Sequence, residues 1–286
     1  MIRSTNLLVL AALALVIPAC SSEPPVPLAE KAEKLEVEKP KSVGAVTFEI
    51  GGEASTLGFE MNAPFEKIRG RVPASAVSGE LNVDFEDITR SNGLVHVSLA
   101  DLELFQRKAE KEGGDFGEET KSDLQNEHAR NWLEIGADAP EEDRTKNALV
   151  EYSIKTVKSA STANVAAMSG AERKVTLTVE GEFLLHQRKA PKSAEVEVVF
   201  TFEGDKPTKM AVKTVKPLAI GLDEYDVRPR EAFGKLAAKT LDLLSDKVAK
   251  EADVTIELTA AARAANQPAS GDVAKPAAAP VDKGGY

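Results

Sequence analysis

Apolar and polar residues alternate along much of the chain from residue 46 onward. In one such stretch, Leu81, Val83 and Phe85 are separated by single polar residues. Because successive side chains of a β-strand point to opposite faces, this period of two predicts a strand with one apolar and one polar face. The same alternation recurs at residues 46–50, 57–61, 95–99, 150–154, 175–179, 196–200 and 254–258.

These amphipathic strands predict an all-β fold. Turn-forming residues at 51–52, 91–93 and 203–207 separate several of the strands by short links. The strands of a parallel sheet are apolar on both faces, whereas each of these has a polar face. The pattern therefore favours an antiparallel sandwich or a closed antiparallel barrel.

Two segments have the pattern of a helix instead. The segment 120–136 sets a few apolar residues among charged ones, with Ser122 or Asp123 as its N-cap. The segment 230–253 carries one apolar stripe at three-and-four spacing, formed by Phe233, Leu236, Ala237, Leu241, Leu244 and Val248. A helix of this kind covers an apolar surface, for which the mouth of a barrel is a candidate. We expect one or two helices, the longer one near the C-terminus.

The N-terminus has the composition of a bacterial lipoprotein signal. One positive residue, Arg3, precedes an apolar run at 7–17 that is too short to cross a bilayer comfortably. The three residues 17–19 then lead to Cys20 and resemble a lipobox, which implies cleavage after Ala19 and diacylglycerol on the Cys20 sulfur. The alternative is an ordinary secretory signal with Cys20 as a spare thiol.

Cys20 is the single cysteine of the chain. It therefore has no partner for an internal disulfide, and acylation accounts for its presence in an exported protein. The residues after it, Ser21 and Ser22, lack the aspartate that retains some lipoproteins at the inner membrane. We expect the protein at the periplasmic face of the bacterial cell envelope, held in the outer membrane by more than one acyl chain.

Composition divides the chain into four parts. Residues 1–19 are the expected lipoprotein signal peptide, and 20–44 are the acylated cysteine and a flexible linker rich in Pro, Glu and Lys. Residues 45–260 form the β-barrel domain. The Ala/Pro-rich tail at 261–286 is expected to be disordered.

The charge and the polar residues exclude several functions. The chain has 46 acidic and 36 basic residues, a formal charge of −10, so nothing attracts it to nucleic acid. His96, His128 and His186 are far apart and lie in no HExxH motif, and the sequence has no GxSxG or Gly-rich phosphate loop. We therefore predict no enzyme activity, no catalytic residue, no metal and no cofactor.

Several stretches of the core resemble the YceI-like family of exported lipid-binding proteins. The likeness follows residues 54–72, 78–88, 94–104, 126–136 and 174–200 in that order. Its single positions are Gly70 at the end of an early strand, His128 and Trp132 in the helical segment, and Val179, Gly181 and 183–185 in a hairpin. The family's His-Ser pair reads Ala54-Ser55 here. The resemblance implies an extended, lipocalin-like antiparallel barrel.

Members of that family hold a polyisoprenoid chain, such as the tail of a quinone or an isoprenoid alcohol. The resemblance thus implies an isoprenoid-type lipid inside the barrel, in a carrier or sequestering role. An eight-stranded barrel encloses one slender ligand, and burying roughly a few hundred Å² of it gives on the order of 10 kcal/mol before ordering costs. The expected lining residues are Phe59, Met61, Phe85, Val97, Trp132, Tyr152, Ile154, Phe183, Phe200 and Phe233.

Two other functions remain open at this point. Each lining residue is equally compatible with ordinary core packing, so the protein is alternatively a structural or interaction lipoprotein whose barrel is filled by its own side chains. An enzyme is the least supported class, because no set of residues indicates a reaction. The volume of the barrel interior distinguishes the first two functions.

Overall fold

The computed structural model describes residues 26–36, 38–52, 54–228 and 249–263. Fourteen strands in these ranges join into one antiparallel sheet. They are β1 (Glu30–Lys31), β2 (Val46–Ile50), β3 (Thr56–Asn62), β4 (Glu66–Val72), β5 (Val77–Val83), β6 (Asn92–Ser98), β7 (Glu103–Lys108), β8 (Thr120–Lys121), β9 (Leu149–Ala160), β10 (Glu172–Leu185), β11 (Arg188–Glu203), β12 (Lys206–Thr214), β13 (Leu218–Gly221) and β14 (Glu251–Ala262). Each strand segment predicted from alternation overlaps one of them.

Eight of the strands close into a barrel. Around the ring, β2 is followed by β5, β6, β9, β10, β11, β12 and β14, and β14 pairs again with β2. Every pairing is antiparallel, which confirms the predicted all-β antiparallel barrel. The apolar residues of each alternating pair face inward, so Phe48, Val95 and Val179 are buried.

A second group of strands extends one end of the barrel, which we call the lower end. The long strand β14 pairs with β2 through residues 260–262 but with β3 through residues 253–257. On its other edge, residues 251–254 pair with β13. From β3 the sheet continues to β4, β7 and β8. One continuous strand thus links the ring to the added wall at the lower end.

Loop residues and phenylalanines close the opposite, upper end. Phe85 packs edge-on against Phe200 and Phe202, with ring centroids 5.0 and 5.3 Å apart. The loop after β9 crosses this end and is fixed by the backbone N–H of residue 166, which donates to the Phe85 carbonyl at 2.8 Å. Val165 of that loop is fully buried, and Arg173 donates to the Val165 carbonyl at 3.0 Å.

The described residues contain two α-helices, α1 (Asp123–Trp132) and α2 (Glu141–Asn147). The hydroxyl of Ser122 caps α1 by accepting the Gln125 backbone N–H at 3.2 Å, one of the two caps predicted. Most of the longer helix predicted near the C-terminus (230–253) lies outside the described residues, which end at 228 and resume at 249. Its last three predicted residues, 251–253, instead begin β14 because they pair with β13.

The N-terminal strap, residues 26–36 and 38–42, lies along the outside of the barrel. At the lower end, the backbone N–H of Ala29 donates to the Glu224 carbonyl at 2.9 Å, and β1 pairs with the start of β11. Farther along, Leu35 is buried against Leu94 and Leu184, two leucines that face outward from β6 and β10. The composition predicted a solvated linker here, whereas in the structure this stretch packs on the barrel.

None of the described helices is long and apolar enough to cross a membrane.

Candidate functional site

Two adjoining cavities lie inside the barrel. The upper chamber has about 90 Å³ and the lower chamber about 120 Å³ of space for the centre of a water-sized sphere. By the same measure one water molecule needs about 10–15 Å³. The walls of both chambers are almost wholly apolar. The side chains inside the barrel therefore leave apolar space unfilled in both chambers.

Different elements build the two chambers. The upper chamber lies among the ring strands β5, β6, β9, β10, β11, β12 and β14, with Met210 and Leu258 on its wall. The lower chamber adds β3, β7 and helix α1, which contributes Ala129 and Trp132, and β13 borders both chambers. Strands β3 and β13 pair with the lower part of β14, outside the closed ring. The lower chamber therefore extends the barrel beyond that ring.

The structure brings eight of the ten predicted lining residues to the chamber walls. Five of them lie on the lower chamber: Phe59, Met61, Val97, Trp132 and Phe183. Ile154 and Phe200 lie on the upper chamber, and Tyr152 lies on both. That these residues contact a ligand stays a prediction.

Two predicted lining residues are not placed on a wall. Phe85 follows the end of β5, and its ring packs among Phe48, Phe200 and Phe202, where it plugs the upper end. It lines neither chamber and is a core residue. Phe233 lies outside the described residues.

Sequence reasoning missed several wall residues. Val95 and Ile256 border both chambers, and their alternation with Val97 and Leu258 was a sufficient signal. Leu222 and Val227 also line the lower chamber. They lie in the turn after β13. A turn has no regular alternation of apolar and polar residues, so the sequence does not show which of its side chains face inward.

Partial exposure of inward-facing side chains supports the presence of open space. Ile154, Val196 and Val212 point into the ring but are only half-buried, as are Phe59 and Trp132 around the lower chamber. In a filled core such residues lose nearly all contact with a water-sized sphere. Because these side chains line the chambers, part of their exposed area faces the cavity.

Tyr152 is a polar residue between the chambers, and its hydroxyl is engaged. The hydroxyl lies 3.1 Å from the Lys192 carbonyl oxygen and 3.4 Å from the Val179 carbonyl oxygen. The β9–β10 ladder shifts register beside Val179, which leaves a carbonyl available to the tyrosine. Burial raises the pKa of the Tyr152 phenol, with a smaller contribution from the charge of Glu180, so the group stays neutral.

The buried carboxylate of Glu151 does not give the lower chamber a charge. One oxygen accepts the Leu35 backbone N–H of the strap, and the other lies 2.8 Å from His96 Nδ1. His96 and Leu94 share the outward face of β6, so the carboxylate is directed to the strap side of the wall. Its partners satisfy it outside the cavity.

The three histidines have separate positions and partners. The imidazole of His128 stacks nearly parallel to the Trp132 ring, with centroids 6.3 Å apart. The ring nitrogens of His186 lie 3.1 Å from the Tyr225 carbonyl oxygen and 3.2 Å from the Glu134 carboxylate. Among the described residues, no group of three or more His, Cys, Asp or Glu side chains is placed to hold a metal ion.

Several solved structures are similar to this chain, among them the following two. One is a polyisoprenoid binding domain from Saccharophagus degradans implicated in plant cell wall breakdown, with 15% identity over 76% of this chain and 99% of that chain and a TM-score of 0.47. The other is BcnA of Burkholderia cenocepacia, with 12% identity over 72% of this chain and 95% of that chain and a TM-score of 0.41. No protein-family model matches the chain, and no curated protein matches it in sequence.

Proposed function

We propose that this protein holds an isoprenoid-type lipid inside its barrel, as a carrier or sequestering protein. The observation that supports this function is the pair of adjoining apolar chambers, which together run from the lower end to the aromatic plug at the upper end. A structural lipoprotein with a filled barrel, the alternative from the sequence, leaves no such space. The resemblance of the sequence to the YceI-like family agrees with this proposal.

The chemistry of the walls suits a hydrocarbon tail. The chambers offer almost no polar surface, so a bound lipid gains free energy from apolar area removed from water. A polar head group inside would lose its hydrogen bonds to water without replacing them. The tail therefore lies inside the barrel and the head group remains outside. Because the upper end is closed, the head group stays at the lower end.

The bound lipid is detectable through the single tryptophan of the chain. Trp132 lies on the wall of the lower chamber, and the sequence contains no other tryptophan. We expect a prenylated benzoquinone to quench its fluorescence in a saturable way, with a micromolar or lower Kd. The matched control is the same benzoquinone without its prenyl tail, which should quench only by collision. Identical quenching by the two quinones would refute binding of the tail.

The proposal includes attachment to the membrane through diacylglycerol on Cys20. Ala29, the first strap residue with a backbone bond to the barrel, follows Cys20 by nine residues. An extended chain covers at most about 3.5 Å per residue, so the lipid is within about 30 Å of this contact. The contact is with Glu224, next to the lower chamber. The short distance between Cys20 and this contact therefore favours an orientation in which the lower end of the barrel lies near the bilayer.

A Cys20→Ser substitution tests the anchor. We expect the wild-type protein in the membrane fraction and the C20S protein in the soluble periplasmic fraction, because serine has no thiol to acylate. A Ser21→Ala variant, which keeps the cysteine, should remain with the membrane. Recovery with the membranes of C20S protein that has lost residues 1–19 would show that the attachment does not depend on this thiol.

A further inference from the structure

Three residues among those described border both chambers: Val95, Tyr152 and Ile256. Of these, Tyr152 has by far the largest side chain. It projects inward from β9, on the same face as Val150 toward the lower end and Ile154 toward the upper end. Any chain that passes from the lower to the upper chamber has to pass this ring.

The ring of Tyr152 is fixed at both ends. Its Cα belongs to β9, while its hydroxyl is at hydrogen-bond distance from the backbone of β10 at Val179 and of β11 at Lys192. The ring therefore spans three neighbouring strands of the barrel wall. If it turned aside, the hydroxyl would be left buried without a partner, which is unfavourable.

The wall behind the ring is also held in place. Gly181 lies opposite Ile154 at the second register shift of β10, and a Cβ there would be 2.0 Å from the Ser153 carbonyl oxygen. The close approach of β9 and β10 fixes the irregular stretch that presents the Val179 carbonyl to the tyrosine. The position of the ring thus depends on the shape of the backbone and not on a side-chain partner.

We infer that Tyr152 determines the length of the bound lipid tail. This inference rests on the proposed function, because it concerns how the same chambers select among prenyl chains. A tail that enters from the lower end fills the lower chamber and stops at the tyrosine ring. The upper chamber stays closed to it as long as the ring spans the wall. The protein therefore prefers short prenyl chains over long ones.

A chain-length series of isoprenoid alcohols tests this role. Farnesol, geranylgeraniol and solanesol, in order of increasing length, would compete with the prenylated benzoquinone for the wild-type protein and for Tyr152→Ala. We expect the wild type to gain little from chain length beyond the lower chamber. In Y152A the chambers merge, so the preference for solanesol over farnesol should rise at least tenfold relative to wild type.

Ile154→Ala is the matched control. Ile154 is two residues farther along the same face of β9 and lines the upper chamber alone. Its truncation removes apolar bulk but leaves the tyrosine ring, so the preference ratio should stay at the wild-type value. Tyr152→Leu replaces Y152A if the alanine variant does not fold, and the same rise is expected because leucine is too short to span the wall.

The outcomes separate the two proposals. A wild-type protein that binds none of the alcohols and no prenylated quinone contradicts the proposed function itself. A wild type that binds farnesol, together with a folded Y152A or Y152L whose preference ratio is unchanged, overturns only the role of Tyr152. An equal rise in I154A also overturns it, since added volume alone would then explain the effect.

Discussion

Replacing Phe200 by alanine is expected to lower the free energy of unfolding by about 3–5 kcal/mol, among the largest effects of a single substitution in this chain. Phe200 is 1% exposed, and its ring contacts those of Phe48 and Phe85, with centroids 6.2 and 5.0 Å away. Truncation removes its buried area and its edge-on contacts and enlarges a space that is already open. Equilibrium urea unfolding, followed by circular dichroism, measures the change.

Phe65→Ala is the control for this prediction. Phe65 lies at the turn between β3 and β4 and is 36% exposed, so its truncation should lower the free energy of unfolding by about 1 kcal/mol, well below the expected effect of F200A. An F200A protein that lost no more stability than F65A would contradict this prediction. It would show that the aromatic cluster does not hold the upper end of the barrel together.

Filling the lower chamber with Ala252→Phe is expected to weaken binding of the prenylated benzoquinone at least tenfold while the protein remains folded. Ala252 is buried on β14 opposite Ile220 and faces the lower chamber. A phenyl ring there takes the volume that the lipid tail would occupy. Trp132 quenching measures the affinity, and thermal unfolding shows whether the ring is accommodated.

The matched control is Thr255→Phe on the same strand. Thr255 faces outward and is exposed, so the same ring there leaves the chamber unchanged. T255F should bind the prenylated quinone like the wild type. Wild-type affinity in a folded A252F protein would contradict a binding site in the lower chamber. Overpacking costs typically about 1–3 kcal/mol, which a barrel of ordinary stability tolerates.

The closed barrel was predictable because seven of its eight ring strands carry the alternation of apolar and polar residues that predicted them, whereas the ring strand β12 was not predicted. Alternation did not mark strand β4, which only the family resemblance indicated through Gly70, although Ile68 and Val72 are buried on its inner face. The residue between them in the pattern is Gly70, whose missing side chain interrupts the alternation. The Phe59 ring fills that place, since a Cβ on Gly70 would be 2.2 Å from it. The inner face is therefore complete only when both strands are paired.

The N-terminal strap shows a second limit of sequence reasoning. Its Pro, Glu and Lys content predicted a solvated linker, yet Leu35 is 5% exposed. The residues that could have predicted this burial are on the barrel strands. Leu94 and Leu184 are apolar residues on the otherwise polar outer faces of β6 and β10. Two leucines that face outward need a cover, but nothing in the sequence states which segment supplies it.

The hollow interior could not be predicted from the residues alone. A filled barrel and an open one have the same period of two, because both place apolar side chains inside. The difference depends on the number and tilt of the strands and on the size of the side chains at each level. Here the wall strands β3 and β13 widen the lower end, and neither their pairing nor the resulting space follows from composition.

The central claim is that the barrel interior is open to an isoprenoid tail. The most direct test is a crystal structure of the protein purified from bacterial envelopes in mild detergent. We predict continuous apolar density with the regular methyl branches of a prenyl chain in the lower chamber, in contact with Phe59 and Trp132 and ending at Tyr152. A lower chamber occupied by the protein's own side chains would contradict the claim.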